Sequence, residues 1–443
     1  MTIAVLVASF FGLLLIGAPV AVALGAATIF TSLLFAPIPP EIIGQKVLDN
    51  VDHFTLMAVP FFFLAAGLME TGGLVRRLVA LANSFVGHLR GGLGMTAVLS
   101  CIMFAAISGS SPATVAAVGR VMYPSLLQEG YSPRYSIGAL ATAGSLGILI
   151  PPSIPMILYG FVTETSISHL FIAGIVPGLI YGMGLMCMAY FLARRSDARL
   201  QPRASWSARA VSLKSAGPAL SLPLFIFIGI YGLPGFTVGG FSYEGGAIFT
   251  PTEAAVMATA LALIIGIFIY REMTPRTAVH TVLATAPTIG MVFFITTNAL
   301  LFAFFITQLG IPQALANFLT SMNTPVWLFL LMVNILLIIV GFFLEGTPTV
   351  LMFVPILFPA AKQLGIDPVH FCIIVVVNIE LGLIHPPVGL NLFVGSAISG
   401  LPVMEVFYAV LPWMCVTIAT LLLVTYVPEV SLFLPRLLLG SPA

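Results

Sequence analysis

Two short polar stretches interrupt apolar sequence, and each sets several oxygen-bearing side chains next to one another. Ser108-Gly109-Ser110-Ser111-Pro112 lies in the middle of the segment 92–127, and Glu345-Gly346-Thr347-Pro348-Thr349 lies in the middle of 326–361. A second pattern, Gly-x-x-x-Pro-Pro, occurs at Gly147–Pro152 and again at Gly382–Pro387. Proline has no N–H and clashes with the preceding turn, so it leaves upstream carbonyls without donors. Glycine lets another backbone come close. Ser108, Ser110 and Ser111, with Gly147, Pro151 and Pro152, would therefore make a neutral nest of hydroxyl and carbonyl oxygens, the chemistry that suits Na⁺. Gly346, Thr347 and Thr349, with Gly382, His385 and Pro386, would make a second. An anionic substrate would fit between them, because half-helix ends aim their partial charges at such a gap.

The surroundings of these motifs are a membrane protein's. The 443 residues are 60% hydrophobic and only 7% charged, against about 25% charged in soluble domains. A net charge of +1 argues against a nucleic-acid footprint. Cys101, Cys187, Cys372 and Cys415 lie far apart in apolar segments, without metal-ligand spacing. No Walker A motif and no intramembrane nucleophile or metal cluster stands out, so no enzyme is expected. The apolar run from Ile3 to Phe35 is too long for a cleavable signal and reads as retained.

Candidate crossings are 3–17, 19–36, 54–70, 134–162, 170–193, 215–233, 253–270, 288–308, 368–400 and 404–427, with 134–162 and 368–400 interrupted. The segments 92–127 and 326–361 have the length of re-entrant hairpins. In hydrocarbon each unpaired backbone group costs about 2–7 kcal/mol, so such breaks must lie within protein or line a wet cavity. Eleven of the sixteen basic residues fall at Arg76, Arg77 and Arg90, in the loop Arg194–Lys214, and at Arg271 and Arg276; these mark the cytoplasmic face. The segment from Pro37 to Asp52 and the loop Pro234–Thr252, with Glu244, fit the other face. The stretches 73–90 and 274–287 are amphipathic and read as a matched pair of interfacial helices.

The chain also repeats itself. "MYPSLLQEGYSP" (122–133) resembles "LFPAAKQLGIDP" (357–368), a shift of 235 residues that also lays "LGILIPPS" (146–153) on "LGLIHPPV" (381–388) and Pro177 on Pro412. One residue of slippage brings "SSPATV" (110–115) onto "GTPTVL" (346–351). Counting crossings between the halves turns the second upside down relative to the first. Inverted repeats with broken helices in matching places are the mark of a secondary transporter. A lone kink in a membrane helix is ordinarily a packing device; four in two matched pairs ask for more. Glu345 and Glu380 read either as proton carriers or as structural groups. His385, standing where the first half has Ile150, is open between substrate contact, pH sensing and capping. Arg120 is expected to snorkel at a hairpin mouth, and Asn298 and Asn378 to bond between helices.

The stretches "AVPFFFLAAGLMETGGL", "ISGSSPATVAAVGRVMYPSL", "GSLGILIPPSIPMILYG", "FIAGIVPGL", "TPTEAAV" and "ELGLIHPPVGLNLFV", together spanning about 58–413, resemble the large membrane (M) subunit of the tripartite ATP-independent periplasmic (TRAP) transporters. The resemblance implies an all-α polytopic membrane protein, an inverted-repeat elevator-type transporter with two re-entrant helical hairpins and two broken helices. It implies secondary active, Na⁺-coupled import of organic acid anions, such as dicarboxylates or sugar acids, across the bacterial inner membrane. It also implies two partners, a small four-span membrane subunit and a periplasmic substrate-binding protein, with two or more Na⁺ as coupling ions and no organic cofactor. A stand-alone Na⁺- or H⁺-coupled anion symporter or antiporter of a related elevator fold is the alternative.

The expected division is 1–53 N-terminal scaffold spans, 54–195 first repeat, 196–287 basic loop and linking spans, 288–428 second repeat, and 429–443 C-terminal tail. The resemblance places sodium at Ser108, Gly109, Ser110, Ser111, Gly147, Ile150 and Pro151, and at Gly346, Thr347, Thr349, Gly382, His385 and Pro386. The family often has Thr where this chain has His385, which removes a side-chain oxygen from the second site. Ser110, Ser111, Pro152, Ser153, Thr347, Pro387 and Asn391 are the expected substrate-proximal residues.

Overall fold

The computed structural model describes residues 2–35, 38–194, 200–232, 236–238, 241–243 and 246–440. Arg195, Arg199 and Glu244, and the last three residues of the expected tail, lie outside these. The chain begins with α1 (Thr2–Leu15), α2 (Val20–Phe35) and α3 (Pro40–Val51). A 3₁₀ turn, Phe54–Met57, leads into α4 (Ala58–Thr71), followed by α5 (Leu74–Val86). Then α6 (Gly92–Ser108) and α7 (Ser111–Gln128) pack side by side as a helical hairpin. The first interrupted segment is α8 (Pro133–Ala143), α9 (Leu146–Leu149) and α10 (Ile154–Thr163), and it is followed by α11 (Ile167–Ala193) and α12 (Trp206–Tyr231).

A two-stranded antiparallel hairpin, β1 (Phe236–Val238) and β2 (Phe241–Tyr243), departs from the all-α expectation. After it come α13 (Pro251–Ile264), extended by a π turn over Ile265–Ile269, and α14 (Pro275–Gln308). The remaining elements are α15 (Ile311–Ser321), the hairpin α16 (Val326–Gly341) and α17 (Gly346–Gln363), the interrupted pair α18 (Pro368–Leu383) and α19 (Leu390–Ser399), then α20 (Val403–Tyr426) and α21 (Glu429–Leu439). Among the described residues, seven helical stretches are long and apolar enough to cross a membrane: 54–71, 133–163, 167–193, 206–231, 251–269, 275–308 and 403–426.

The expected residue correspondence reaches down to single hydrogen bonds. Gly130 and Gly365 both take positive φ, 90° and 75°, which glycine adopts without a Cβ penalty. Behind them Tyr131 N bonds Leu126 O and Ile366 N bonds Ala361 O, each at 3.0 Å. The next helices are capped alike. Ser132 Oγ accepts from Tyr135 N, and Asp367 Oδ1 accepts from Val369 N, with proline at the first helical position of each. At the hairpin tips no slippage is needed. Ser110 and Glu345 are the two N-caps, and Thr114 Oγ1→Ser110 O (2.8 Å) matches Thr349 Oγ1→Glu345 O (2.7 Å), all at the shift of 235. The prolines, at 112 and 348, are what fall out of step.

The pairing of 73–90 with 274–287 is corrected. Residues 275–287 are the first turns of α14, which runs unbroken through Pro287. The amphipathic helix in the place corresponding to α5 is α15, and "ALAN" at 80–83 recurs at 314–317. The expected border at 287/288 thus falls inside one helix. The expected tail contains α21, which packs on α11. Arg209, expected in a loop, is in the first turns of α12. It is buried, with Nε donating to Ser84 O at 3.1 Å and the guanidinium over Trp206 and Phe85. Arg76 and Arg77 at the start of α5 both pair with Glu272, in the turn between α13 and α14 (2.6 and 2.7 Å).

Gly382 sits with its Cα against Gly341, so a Cβ there would lie 2.8 Å from the Gly341 Cα and carbonyl oxygen. Gly382→Ala is expected to lower folding stability by about 1–3 kcal/mol through forced backbone displacement, read as a lower thermal unfolding midpoint in detergent. Gly290→Ala, which meets open space, should leave the midpoint unchanged.

Candidate functional site

The tips of both hairpins and the starts of both interrupted-segment second helices converge on one cavity of about 610 Å³. One wall is formed by Gly109–Ala113 at the α6–α7 tip and Glu345–Thr347 at the start of α17. Ile154 and Pro155 of α10, Ile379 and Leu383 of α18, and Leu390 of α19 complete it. The facing wall is α4, from Phe63 to Thr71, and α14, from His280 to Val292. Thr281, Thr285, Thr288 and Val292 follow one another at helical spacing along that wall. The cavity extends from the tips to Arg120, Glu70 and His280, toward the C-terminal end of α4, which leads into Arg76 and Arg77 of α5, and the start of α14, which carries Arg276. Arg120 is on the cavity wall and forms an ion pair with Glu70, bridging α7 to α4.

Each hairpin tip is tied to its own half's interrupted segment by a backbone hydrogen bond. Gly109, at φ 63°, presents its carbonyl to Ile154 N (3.2 Å), the first residue of α10. Phe342 O accepts from Val388 N (3.2 Å) in the loop before α19. The Pro151–Pro152 and Pro386–Pro387 bonds are both cis.

At the first tip, Ser108 Oγ lies 2.8 Å from Thr114 Oγ1, which donates to Ser110 O. Gly147 sits against this cluster, since a Cβ on it would meet Thr114 Oγ1 at 2.5 Å and Ser110 O at 2.6 Å. Ser108, Ser110 and Gly147 are therefore brought together around neutral oxygens, with Thr114 as a member that the reading of "SGSSP" missed. The Thr-Val pair shared by 114–115 and 349–350 at the constant shift was the signal that could have found it. Gly109, Ser110 and Ser111 line the cavity. Ile150 lies instead against Gly178 of α11, and Pro151 is buried.

At the second tip Gly346 and Thr347 line the cavity, and Thr349 is buried behind them. Gly382 packs on Gly341. His385 is outside the cavity lining, stacked on Phe342 at 3.9 Å, with Nδ1 2.6 Å from Pro386 O and Phe407 at its edge. The carbonyls of His385 and Leu383 turn toward Gly389, where a Cβ would meet them at 2.6 and 2.9 Å.

Of the expected substrate-proximal residues, Ser110, Ser111 and Thr347 line the cavity, whereas Pro152, Ser153, Pro387 and Asn391 do not. Ser153 is a cap, bonding Ile148 O and accepting from Met156 N. Asn391 is fully buried and holds Ser111 Oγ at 2.8 Å and Ala141 O at 3.0 Å. Asn378 Nδ2 bonds Asn334 Oδ1 of α16 (2.8 Å), and Asn298 lies against Gly25 of α2.

A helical membrane protein whose paired helix breaks meet at one cavity is a permease-type transport protein. The chain belongs to the tripartite ATP-independent periplasmic transporters, DctM component, whose family model matches residues 7–430. It is 45% identical to the C4-dicarboxylate TRAP transporter large permease protein DctM of Pseudomonas aeruginosa, over 93% of each chain. It is 34% identical to the sialic acid TRAP transporter large permease protein SiaM of Vibrio cholerae, over 97% of each. The isethionate TRAP transporter permease protein DctMQ of Oleidesulfovibrio alaskensis is 37% identical over 95% of this chain and 64% of that one. In fold, the chain resembles the Alcanivorax borkumensis YdaH transporter, with a TM-score of 0.62 at 16% identity over 94% of this chain and 96% of that one. The family and the seven candidate spans make this a multi-pass protein of the bacterial inner membrane.

Ser111 and Asn391 join the first hairpin to α19 of the other half. Ser111→Ala and Asn391→Ala should each destabilise the protein by about 1–3 kcal/mol, since each leaves a buried partner unpaired. Their double-mutant cycle in thermal unfolding should show coupling of about 0.5–3 kcal/mol.

Proposed function

We propose that this chain is the large permease of a Na⁺-coupled importer of organic acid anions. It receives its substrate from a periplasmic binding protein and works beside a small membrane subunit. The observation that carries this reading is the meeting at one cavity of both hairpin tips with the starts of the helices that follow both Pro-Pro breaks, each tip tied to its interrupted segment by one backbone hydrogen bond. Such paired breaks supply oxygens for a coupling ion and helix N-termini for an anion. The relatives carry names for C4-dicarboxylate, isethionate and sialic acid, and a C4-dicarboxylate is the substrate to test first. The fused name DctMQ of one relative supports the small membrane partner.

In this reading α6–α7 and α16–α17 are re-entrant hairpins of two inverted repeats, over about 54–195 and 288–428. They travel with α8–α10 and α18–α19 as the moving body of an elevator. The first sodium ion takes the oxygens of Ser108, Ser110 and Thr114 over Gly147, with the Gly109–Ser111 and Ile150–Pro151 backbone around it. The second takes Glu345 O, Thr349 and the backbone from Gly346 and Gly382 to Pro386. Substrate lies between Ser110, Ser111 and Thr347, with Arg120 and His280 as basic groups along its path.

The test is uptake of a labelled C4-dicarboxylate into proteoliposomes under an imposed Na⁺ gradient, with the chain alone and with both partners. Uptake is expected only with the partners and only with Na⁺; uptake by the chain alone would favour a stand-alone symporter. Ser110→Ala and Gly147→Leu should abolish Na⁺-dependent uptake in protein that still elutes as a folded species. Thr114→Val should raise the Na⁺ concentration for half-maximal uptake about tenfold, equivalent to about 1.4 kcal/mol, and Thr114→Ser should restore it. Unchanged Na⁺ dependence in all three disabling variants would remove the first ion site.

A further inference from the structure

Arg120 is the single arginine or lysine among the described residues that line the cavity. It stands on α7 nine residues beyond Ser111, about 14 Å along the helix at 1.5 Å per residue. Its place is therefore beyond the hairpin tips, at the end of the cavity that approaches Arg76, Arg77 and Arg276. An anion leaving the tips in that direction passes it.

The partner of Arg120 belongs to the opposite wall. Glu70 is next to the last residue of α4, and the ion pair spans the cavity from hairpin to facing wall. The contact is single. Arg120 Nη1 donates to Glu70 Oε1, and no other hydrogen bond reaches either side chain among the described residues. A guanidinium carries five N–H donors in a fixed fork, so four remain for a second carboxylate. Both side chains are partly exposed, and such a pair contributes only about 0–1 kcal/mol. A carboxylate that takes the fork with both oxygens makes two charge-assisted bonds in place of the one it displaces. Without Glu70, a guanidinium at this place would hold a passing dicarboxylate with nothing but water to take it off. With Glu70 beside it, one carboxylate returns as the other leaves, and the cation is never left unpaired.

We propose that Arg120 is a waypoint for the anion beyond the tips, and that Glu70 is the carboxylate that exchanges with the substrate's on its guanidinium. The proposal rests on the anion-transport reading above and adds to it how the substrate is let go. The substrate carboxylate first takes the free edge of Arg120, Glu70 gives up Nη1, and the return of Glu70 displaces the substrate. Only hydrogen bonds are exchanged. Because Arg120 is on the hairpin and Glu70 on the facing wall, the exchange takes place where α7 stands against α4, as it does in this structure. Glu70 is thus a positioning residue that acts through Arg120.

Uptake of labelled succinate by the chain with both partners in proteoliposomes tests this. Glu70→Gln removes the competitor, so the anion is held longer. KM and Vmax should fall together, each about tenfold, the equivalent of about 1.4 kcal/mol of retained binding, with Vmax/KM unchanged. The double variant Arg120→Gln/Glu70→Gln should lose that effect, with KM at or above the wild-type value. Arg120→Lys/Glu70→Gln keeps the charge without the fork and should follow the double Gln variant. A merely structural bridge predicts that Glu70→Gln and Arg120→Gln behave alike, and a long-range field predicts that the Lys variant keeps the joint fall; either result would overturn the exchange. Thermal unfolding midpoints check that the variants are folded. Should Glu70→Gln not fold, Glu70→Asp, whose carboxylate reaches less far, should show the same joint fall at smaller size, and its absence there would also overturn the exchange. Lack of succinate uptake by the wild type would overturn the anion-transport reading itself, whereas wild-type uptake with KM and Vmax unchanged in Glu70→Gln would overturn the exchange alone.

Discussion

A backbone group without a partner in a membrane interior costs several kcal/mol, about 2–7, and this fold breaks its helices at four matched places. Ile154 N→Gly109 O and Val388 N→Phe342 O answer that constraint. In each half a carbonyl freed at a hairpin tip takes an N–H freed at the interrupted segment, so two breaks that would be costly apart satisfy one another together. The cavity follows from this arrangement. Tips and loops have to meet for their backbones to be paired, and the space left where they meet is lined by helix starts and small side chains.

What was legible in the sequence was the punctuation. Gly130 and Gly365, Pro133 and Pro368, and the two Gly-x-x-x-Pro-Pro patterns each stand where the chain needs a left-handed residue, a capped start or a stop. Such requirements are local, so they leave residue types behind. Helix α15 was less legible because it is short, 11 residues, and lies between the long α14 and the apolar α16. The segment 274–287 has the amphipathic pattern of a helix lying in the membrane surface, and Thr281 and Thr285 are part of its polar side. Both line the cavity, so part of the polar side belongs to a cavity wall on a continuous helix. Periodicity reports that one side is polar; it does not report what makes it so.

The side-chain roles were harder to read for the same reason. Asn391, expected near substrate, spends its donors on Ser111 and Ala141. His385, a polar residue in a matched motif, stacks on Phe342. Thr114 holds the oxygen cluster at the first tip from inside a stretch that reads as plain helix. A hydroxyl or imidazole in sequence shows capacity to bond, and only the packing decides whether the bond goes to a ligand or to the protein.

The two halves are also interleaved. Hairpin helix α7 packs on α19 and hairpin helix α17 packs on α10, so each half's hairpin leans on the other half's interrupted segment. The Ser111–Asn391 bonds sit at one of these crossings, fully buried. The cavity's other wall meets this body partly through apolar packing of α14 on α17 and partly through the ion pair of Arg120 with Glu70. The Arg120 side chain is 68% exposed, and an exposed pair of that kind contributes about 0–1 kcal/mol. The buried crossings therefore hold the tips and segments to each other far more firmly than the polar bridge holds them to α4. Any change that opens or closes the cavity would separate Arg120 from Glu70 long before it separated Ser111 from Asn391.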